Sequence, residues 1–167
     1  MEGVLELAAP KASVPRLLGE AAGLLASGLV AGVCGGAAWG LVRPSLVIGH
    51  GGIVDVVATD PGAVFTSVGW LSVILGVIGA VLATIAWFQS RGREAWYLLW
   101  LIAVSVASTF AVLAVGDFIA VRQHSNDASR VAAPLTTPAA WLVAPFSASA
   151  IYWTRTLVAY VSPRADG

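Results

Sequence analysis

The sequence predicts an all-α membrane protein, a bundle of four transmembrane helices with a small extracytoplasmic β-hairpin between helices 1 and 2. Of its 167 residues, 58% are apolar and only 11% are charged, whereas about a quarter of the residues of a soluble domain are charged. The mean hydropathy is +0.85. Four apolar stretches reach the roughly 20 residues that a helix needs to cross about 30 Å of hydrocarbon. They are predicted as helices because lipid offers no partner for a free backbone N–H or C=O.

The apolar stretches divide the chain into three regions. These are a cytoplasmic N-terminal arm (1–20), a single transmembrane domain (21–161) and a C-terminal tail (162–167), with helices predicted at about 21–42, 63–88, 96–120 and 139–161. The fourth stretch departs most from a typical span, because it contains Pro145 and Arg155. The first stretch is longer than the apolar region of a signal peptide, and we therefore expect it to be retained as a helix.

The distribution of basic residues predicts the orientation, because cytoplasmic loops are enriched in Lys and Arg. One side would carry Lys11, Arg16, Arg91, Arg93, Arg155 and Arg164, and the other Arg43, Arg122 and Arg130. This distribution predicts a multi-pass protein of the plasma membrane with both termini in the cytoplasm.

Tryptophan and tyrosine prefer the membrane interface and mark the same boundaries. Trp39 and Trp141 fall at the predicted outer ends of helices, and Trp87, Trp96, Tyr97 and Tyr160 fall at the inner ends. Trp70, Trp100 and Trp153 fall further inside, where we expect them to pack between helices.

Small residues spaced four apart indicate close helix packing, which drives association in lipid. The first helix carries Gly28, Gly32, Gly36 and Gly40, and the second carries Ser72, Gly76 and Ala80. Alanines repeat this spacing on the third helix (103, 107 and 111) and on the fourth (140, 144 and 148). Two interpretations stay open. We favour packing within one bundle over a seam between two copies of the chain.

The segment between Pro44 and Pro61 predicts the β-hairpin. Two β-branched runs flank the turn Gly49-His50-Gly51-Gly52. A two-stranded hairpin is marginal in water by itself, so we expect it to pack on the bundle, on the other outer loop or on a partner.

A resemblance follows from the order of these features. A glycine-rich helix ends in Trp39-Gly40-Leu41 and a proline, and the hairpin is followed by Asp60-Pro61-Gly62-Ala63-Val64-Phe65 and a second helix that ends at an Arg-rich turn. From about residue 28 to residue 120 this order resembles an uncharacterised family of small four-helix membrane proteins found mainly in actinobacteria. The resemblance implies a plasma-membrane location and implies no activity.

The residues that carry chemistry are sparse, and we predict no catalytic residue, metal site or cofactor. Cys34 is the single cysteine, which excludes an internal disulfide or a Cys-x-x-Cys pair. His50 and His124 fall in predicted connections, whereas a membrane haem needs histidines inside the bundle. A triad or metal site around His50 is disfavoured because a glycine-rich hairpin is a poor scaffold. Nine basic and nine acidic residues form no basic stripe, so nucleic acid is not expected as a partner.

The candidate charges at the membrane edges are Glu20, Arg43, Asp117 and Arg155. At 1.5 Å per residue, Asp117 falls at the outer edge and Arg155 near the inner edge. We expect Asp117 to pair with Arg43, with Arg122 as the local alternative. At the other end we expect Glu20 to pair with Arg155 rather than with Arg16.

The favoured function is a non-enzymatic accessory protein that lies in the lipid bilayer and binds partner helices or an envelope complex, or associates with itself. The alternative is a small oligomeric transporter or channel. No pair of broken helices marks a substrate site for that alternative. An intramembrane enzyme ranks third, because the inventory of chemical groups is thin.

Overall fold

The computed structural model describes residues 14–43, 45–47, 62–90, 94–124, 130–132 and 138–161. It contains four helices: α1 (Val14–Val42), α2 (Ala63–Gln89), α3 (Glu94–His124) and α4 (Ala140–Val161). The predicted four-helix architecture is thus present. The helix α1 begins seven residues before the predicted start at Ala21. An apolar run marks the part of a helix that suits lipid, whereas backbone hydrogen bonding continues beyond the hydrocarbon.

Three segments of the described chain are long and apolar enough to cross a membrane: Leu18–Val42, Phe65–Gln89 and Ala95–Gln123. The helix α4 is not among them. It carries Arg155 together with several serines and threonines, and it continues through Pro145. Length and composition therefore support three membrane-spanning helices, and the fourth span stays a prediction.

Two close pairs of helices organise the bundle. The most extensive contacts join α1 to α3 and α2 to α4, whereas α2 and α3 meet less extensively and α1 makes little contact with α4. Within each close pair the helices are parallel: α1 meets α3 from Gly28 at Val104 to Gly40 at Gly116, and α2 meets α4 from Gly79 at Ala144 to Trp87 at Arg155. The carboxyl-terminal ends of α1 and α3 therefore emerge side by side.

Two three-residue strands follow those neighbouring ends. Strand β1 (Ser45–Val47) pairs antiparallel with β2 (Arg130–Ala132), and Leu46 lies opposite Val131. The structure does not support the predicted hairpin, because β1 pairs with the connection between α3 and α4. The predicted turn and second strand fall in residues 48–61, outside the described part of the chain. The cross-loop pairing follows from the packing of α1 beside α3, which brings both connections to the same end of the bundle.

The bundle has an apolar interior and an apolar exterior. Its fully buried side chains include Leu24, Leu71, Leu75, Leu82, Leu101, Val104 and Val112. Many large apolar side chains also face outward, including Phe65 at 83% exposure and Phe146 at 76%. A soluble protein rarely exposes apolar surface on this scale, whereas such a surface suits contact with lipid tails.

Candidate functional site

The four glycines of α1 form a seam with α3, which we call the glycine seam. A Cβ added at Gly32 would lie 2.7 Å from the carbonyl oxygen of Ser108, and one at Gly36 would lie 2.5 Å from that of Val112. At Gly40 the corresponding distance to the carbonyl oxygen of Gly116 is 2.8 Å. A Cβ at Gly28 would meet the Val104 and Ser108 side chains. The glycines therefore let two backbones touch, within one chain.

The spacing of the glycine seam has a simple geometric basis. The carbonyls that face Gly32, Gly36 and Gly40 belong to residues 108, 112 and 116, so both helices advance four residues between contacts. This repeat keeps the two stripes in register because the helices are parallel. Ser108 Oγ adds a hydrogen bond of 2.7 Å to the Gly28 carbonyl oxygen. Such bonds between membrane helices contribute about 0.6 kcal/mol each.

On α2 the stripe of Ser72, Gly76 and Ala80 lies beside the main contact with α4. The glycine that meets α4 is Gly79, where a Cβ would lie 2.7 Å from the Ala144 carbonyl oxygen. The space at Gly76 is open, since no atom of the described residues beyond the neighbouring α2 backbone lies within 4 Å of an added Cβ. The Gly76 carbonyl oxygen accepts a long hydrogen bond from Ser147 Oγ of α4 over 3.5 Å. Ser72 donates to Val68 in its own helix.

The alanines of α4 complete that contact. Ala140, Ala144 and Ala148 are all buried. The sequence misses Gly79 because it stands outside the regular four-residue repeat of α2. A signal exists all the same, since Gly79, Ala83 and Ala86 lie on one helical face, and Ala83 and Ala86 are fully buried.

At the end of the bundle next to β1, Arg43 forms an ion pair with Asp117. The Arg43 side chain is only 4% exposed, whereas the Asp117 side chain is 58% exposed. The Arg43 guanidinium lies 4.6 Å from the centre of the Trp39 ring. The local alternative, Arg122, lies instead over the ring of Phe118. The pair thus joins the ends of α1 and α3 at the surface rather than in the middle of the bundle.

Trp39 lies three residues before the end of α1, and its side chain points into the bundle. It is 1% exposed, its ring covers Gly116, and its indole N–H donates to the Ser67 carbonyl oxygen over 3.3 Å. The side chain fills the space between α1, α2 and α3 because Gly116 presents no Cβ. The position of Trp39 along the sequence predicts its depth near the end of the helix, whereas the face that it presents to α2 and α3 is visible only in the structure.

At the opposite end, the Tyr97 hydroxyl donates a hydrogen bond of 2.5 Å to Glu20 Oε2. The neighbouring Trp100 indole N–H donates to the Ala21 carbonyl oxygen over 3.1 Å. The predicted pairing of Glu20 with Arg155 is not formed among the described residues. The Arg155 guanidinium lies 5.6 Å from the centre of the Trp87 ring. This difference arises because α1 makes little contact with α4, whereas α3 lies beside α1 and supplies a hydrogen-bond donor to Glu20.

Polar side chains within the bundle bond to the backbone. Ser105, Ser108 and Thr109 are fully buried, and each donates to a carbonyl oxygen. Such bonds satisfy groups that would be costly in lipid. Among the described residues no group of three His, Cys, Asp or Glu side chains is placed to hold a metal ion. His50 lies outside the described residues, so the triad and metal interpretations around it stay untested.

Comparison with known proteins finds no matching family model, no similar curated protein and no similar solved structure. The resemblance to an actinobacterial family of membrane proteins therefore stays a prediction.

Proposed function

We propose that this chain is a non-enzymatic accessory protein of the cell membrane that binds a larger membrane protein through its outer helix surfaces. In this proposal α4 spans the bilayer with the other three helices, and both termini lie in the cytoplasm. A helix of 22 residues is about 33 Å long at 1.5 Å per residue, which is enough for a span. The orientation rests on the distribution of basic residues.

The observation that carries the proposal is the closed interior of the bundle. Leucine and valine side chains with less than 2% exposure come from α1, α2 and α3, and the buried hydroxyl groups of α3 donate to backbone carbonyls. A transporter would need polar groups free to meet a substrate near the middle of the membrane. The ion pair of Asp117 with Arg43 lies at the bundle surface, which also disfavours a role for Asp117 in passing protons or ions through the membrane. The outer surfaces are then the best place for a function.

The outer surface that best suits a partner helix lies on α2, and we call it the open α2 face. It consists of Gly69, Val73, Gly76 and Val77. Within the described part of the chain, no atom beyond the neighbouring backbone of α2 lies within 4 Å of a Cβ added at Gly69 or Gly76, and Val73 and Val77 are 57% and 58% exposed. Small residues flanked by valine let a second helix approach closely. The glycine seam on α1, by contrast, is already covered by α3.

The test is photo-crosslinking in native membranes, followed by purification in mild detergent. A photoreactive residue replaces Val73 on the open α2 face or, as a matched control, the equally apolar Val30 of α1, which is 64% exposed. We expect Val73 to crosslink to one larger membrane protein in stoichiometric yield, and Val30 to give no such product. The substitution Gly76→Leu should abolish this partner without lowering the thermal stability of the bundle.

Two results would count against this function. Crosslinks from Val73 only to further copies of the chain, together with ion or solute flux in proteoliposomes, would favour the oligomeric transporter. Equal products from Val73 and Val30 would mean that the open α2 face has no defined partner.

A further inference from the structure

A groove lies between α2 and α4 at the end of the bundle that contains the connection from α2 to α3. Its volume is about 330 Å³, and it is lined by Trp87, Thr154, Arg155, Val158 and Ala159. The lining is mostly apolar, with one cationic side chain. An apolar groove beside a cation matches the chemistry of a molecule with an apolar chain and an anionic head.

Arg155 provides the positive charge of this groove. Its guanidinium lies over the Trp87 ring, and the side chain is only partly exposed. Two carboxylates have described side chains. Glu20 accepts from Tyr97, and Asp117 pairs with Arg43 at the opposite end. Neither of these two described carboxylates neutralises Arg155, so its guanidinium remains available to an anion as far as the described side chains are concerned.

The depth of the groove corresponds to the region of lipid headgroups. Trp87 is two residues from the end of α2, or about 3 Å, and Arg155 is six residues from the end of α4, or about 9 Å. At this end Trp96 and Tyr160 are exposed by 57% and 90%. Such aromatic residues lie at the level of the headgroups, where phosphate is the abundant anion.

We propose that this groove binds an anionic phospholipid, with the phosphate on the Arg155 guanidinium and an acyl chain along Trp87, Val158 and Ala159. The planar guanidinium can donate two parallel hydrogen bonds to a phosphate while one face stays on the indole ring. Thr154 does not supply a donor, since its hydroxyl already donates to the Ala150 carbonyl oxygen over 2.8 Å. The site requires insertion in a membrane but does not require the protein partner proposed above.

Native mass spectrometry of the purified full-length protein tests this site. The protein is mixed in detergent with phosphatidylglycerol or, as a control, with phosphatidylcholine of the same acyl chains. We expect one phosphatidylglycerol molecule to be retained in preference to phosphatidylcholine. The substitution Arg155→Gln should lower its apparent affinity by about tenfold or more, as expected for the loss of a charge-assisted pair. Arg122→Gln is the matched control, since Arg122 also lies over an aromatic ring but at the other end.

A second variant separates charge from groove shape. Ala159→Trp should fill the groove and reduce retention of phosphatidylglycerol while Arg155 stays in place. Both variants should keep the thermal stability of the parent, because Ala159 is exposed and Arg155 is partly exposed. Equal retention of the two lipids, or an unchanged affinity in Arg155→Gln, would overturn the proposal. Competition by millimolar inorganic phosphate at constant ionic strength would instead identify a site for free anions and would also overturn it.

Discussion

Replacing Gly36 with alanine should destabilise the bundle, although alanine favours a helix. The added Cβ would lie 2.5 Å from the Val112 carbonyl oxygen, and ordinary contacts begin at 3.4 Å. The two helices must therefore separate locally by about 0.9 Å. The Val112 atoms nearest the added Cβ belong to the backbone, so no side-chain rotation can relieve the clash. A gap of this size loses about a quarter to a half of the dispersion energy of each affected contact.

The magnitude follows from two opposing terms. Overpacking in a well-packed interior costs about 1–3 kcal/mol, and a clash with backbone belongs at the upper end. The change from glycine to alanine stabilises the helix by about 1 kcal/mol, because alanine has the higher helix propensity. We expect Gly36→Ala to lower the free energy of unfolding by about 2 kcal/mol. Gly36→Leu should cost more, because the whole side chain must fit between the helices.

Gly76→Ala is the matched control, because it is the same substitution in a helix with open space at the Cβ position. We expect it to raise the free energy of unfolding by up to about 1 kcal/mol. Both variants are unfolded in mixed micelles with increasing SDS, and the loss of tertiary structure is followed by tryptophan fluorescence. The two variants are expected to change the free energy of unfolding in opposite directions, which distinguishes an effect of helix packing from an effect of helix propensity. If Gly36→Ala proved as stable as Gly76→Ala, the close approach of α1 and α3 would be refuted.

Three further predictions use the same unfolding assay or a labelling assay. In a double-mutant cycle, Arg43→Gln and Asp117→Asn should show a coupling energy of about 1 kcal/mol, as for pairs that touch water, and additive effects would contradict the ion pair. Ser108→Ala should lower the free energy of unfolding by about 0.6 kcal/mol, because the hydrogen bond to Gly28 is lost. Ser27→Ala is the control and should change the free energy of unfolding less, because the Ser27 hydroxyl is exposed and bonds within its own helix. For topology, a cysteine at Ser125 in a Cys34→Ser background should react with an impermeant reagent in intact cells. If the cysteine reacted only after cell rupture, position 125 would lie in the cytoplasm and the predicted orientation would be wrong.

The hydrophobic runs predicted all four helices, and three of them are long and apolar enough to cross a membrane. The length needed to cross lipid and the need to satisfy every backbone group leave few alternatives for such runs. The spacing of the α1 glycines likewise indicated a surface for close backbone contact. These properties are local to one helix, and a pattern within the sequence can express them.

Only the tertiary structure decided which surfaces meet. It placed the glycine seam against α3, assigned the α4 contact to Gly79 instead of Gly76, and gave Glu20 to Tyr97 instead of Arg155. It also paired β1 with β2 across two connections. The sequence of a helix shows where its small and charged residues lie but not which helix they will contact. Identical spacings of small residues on several helices allow several pairings. The choice depends on the combined fit of all four helices, and that fit exists only once they are packed.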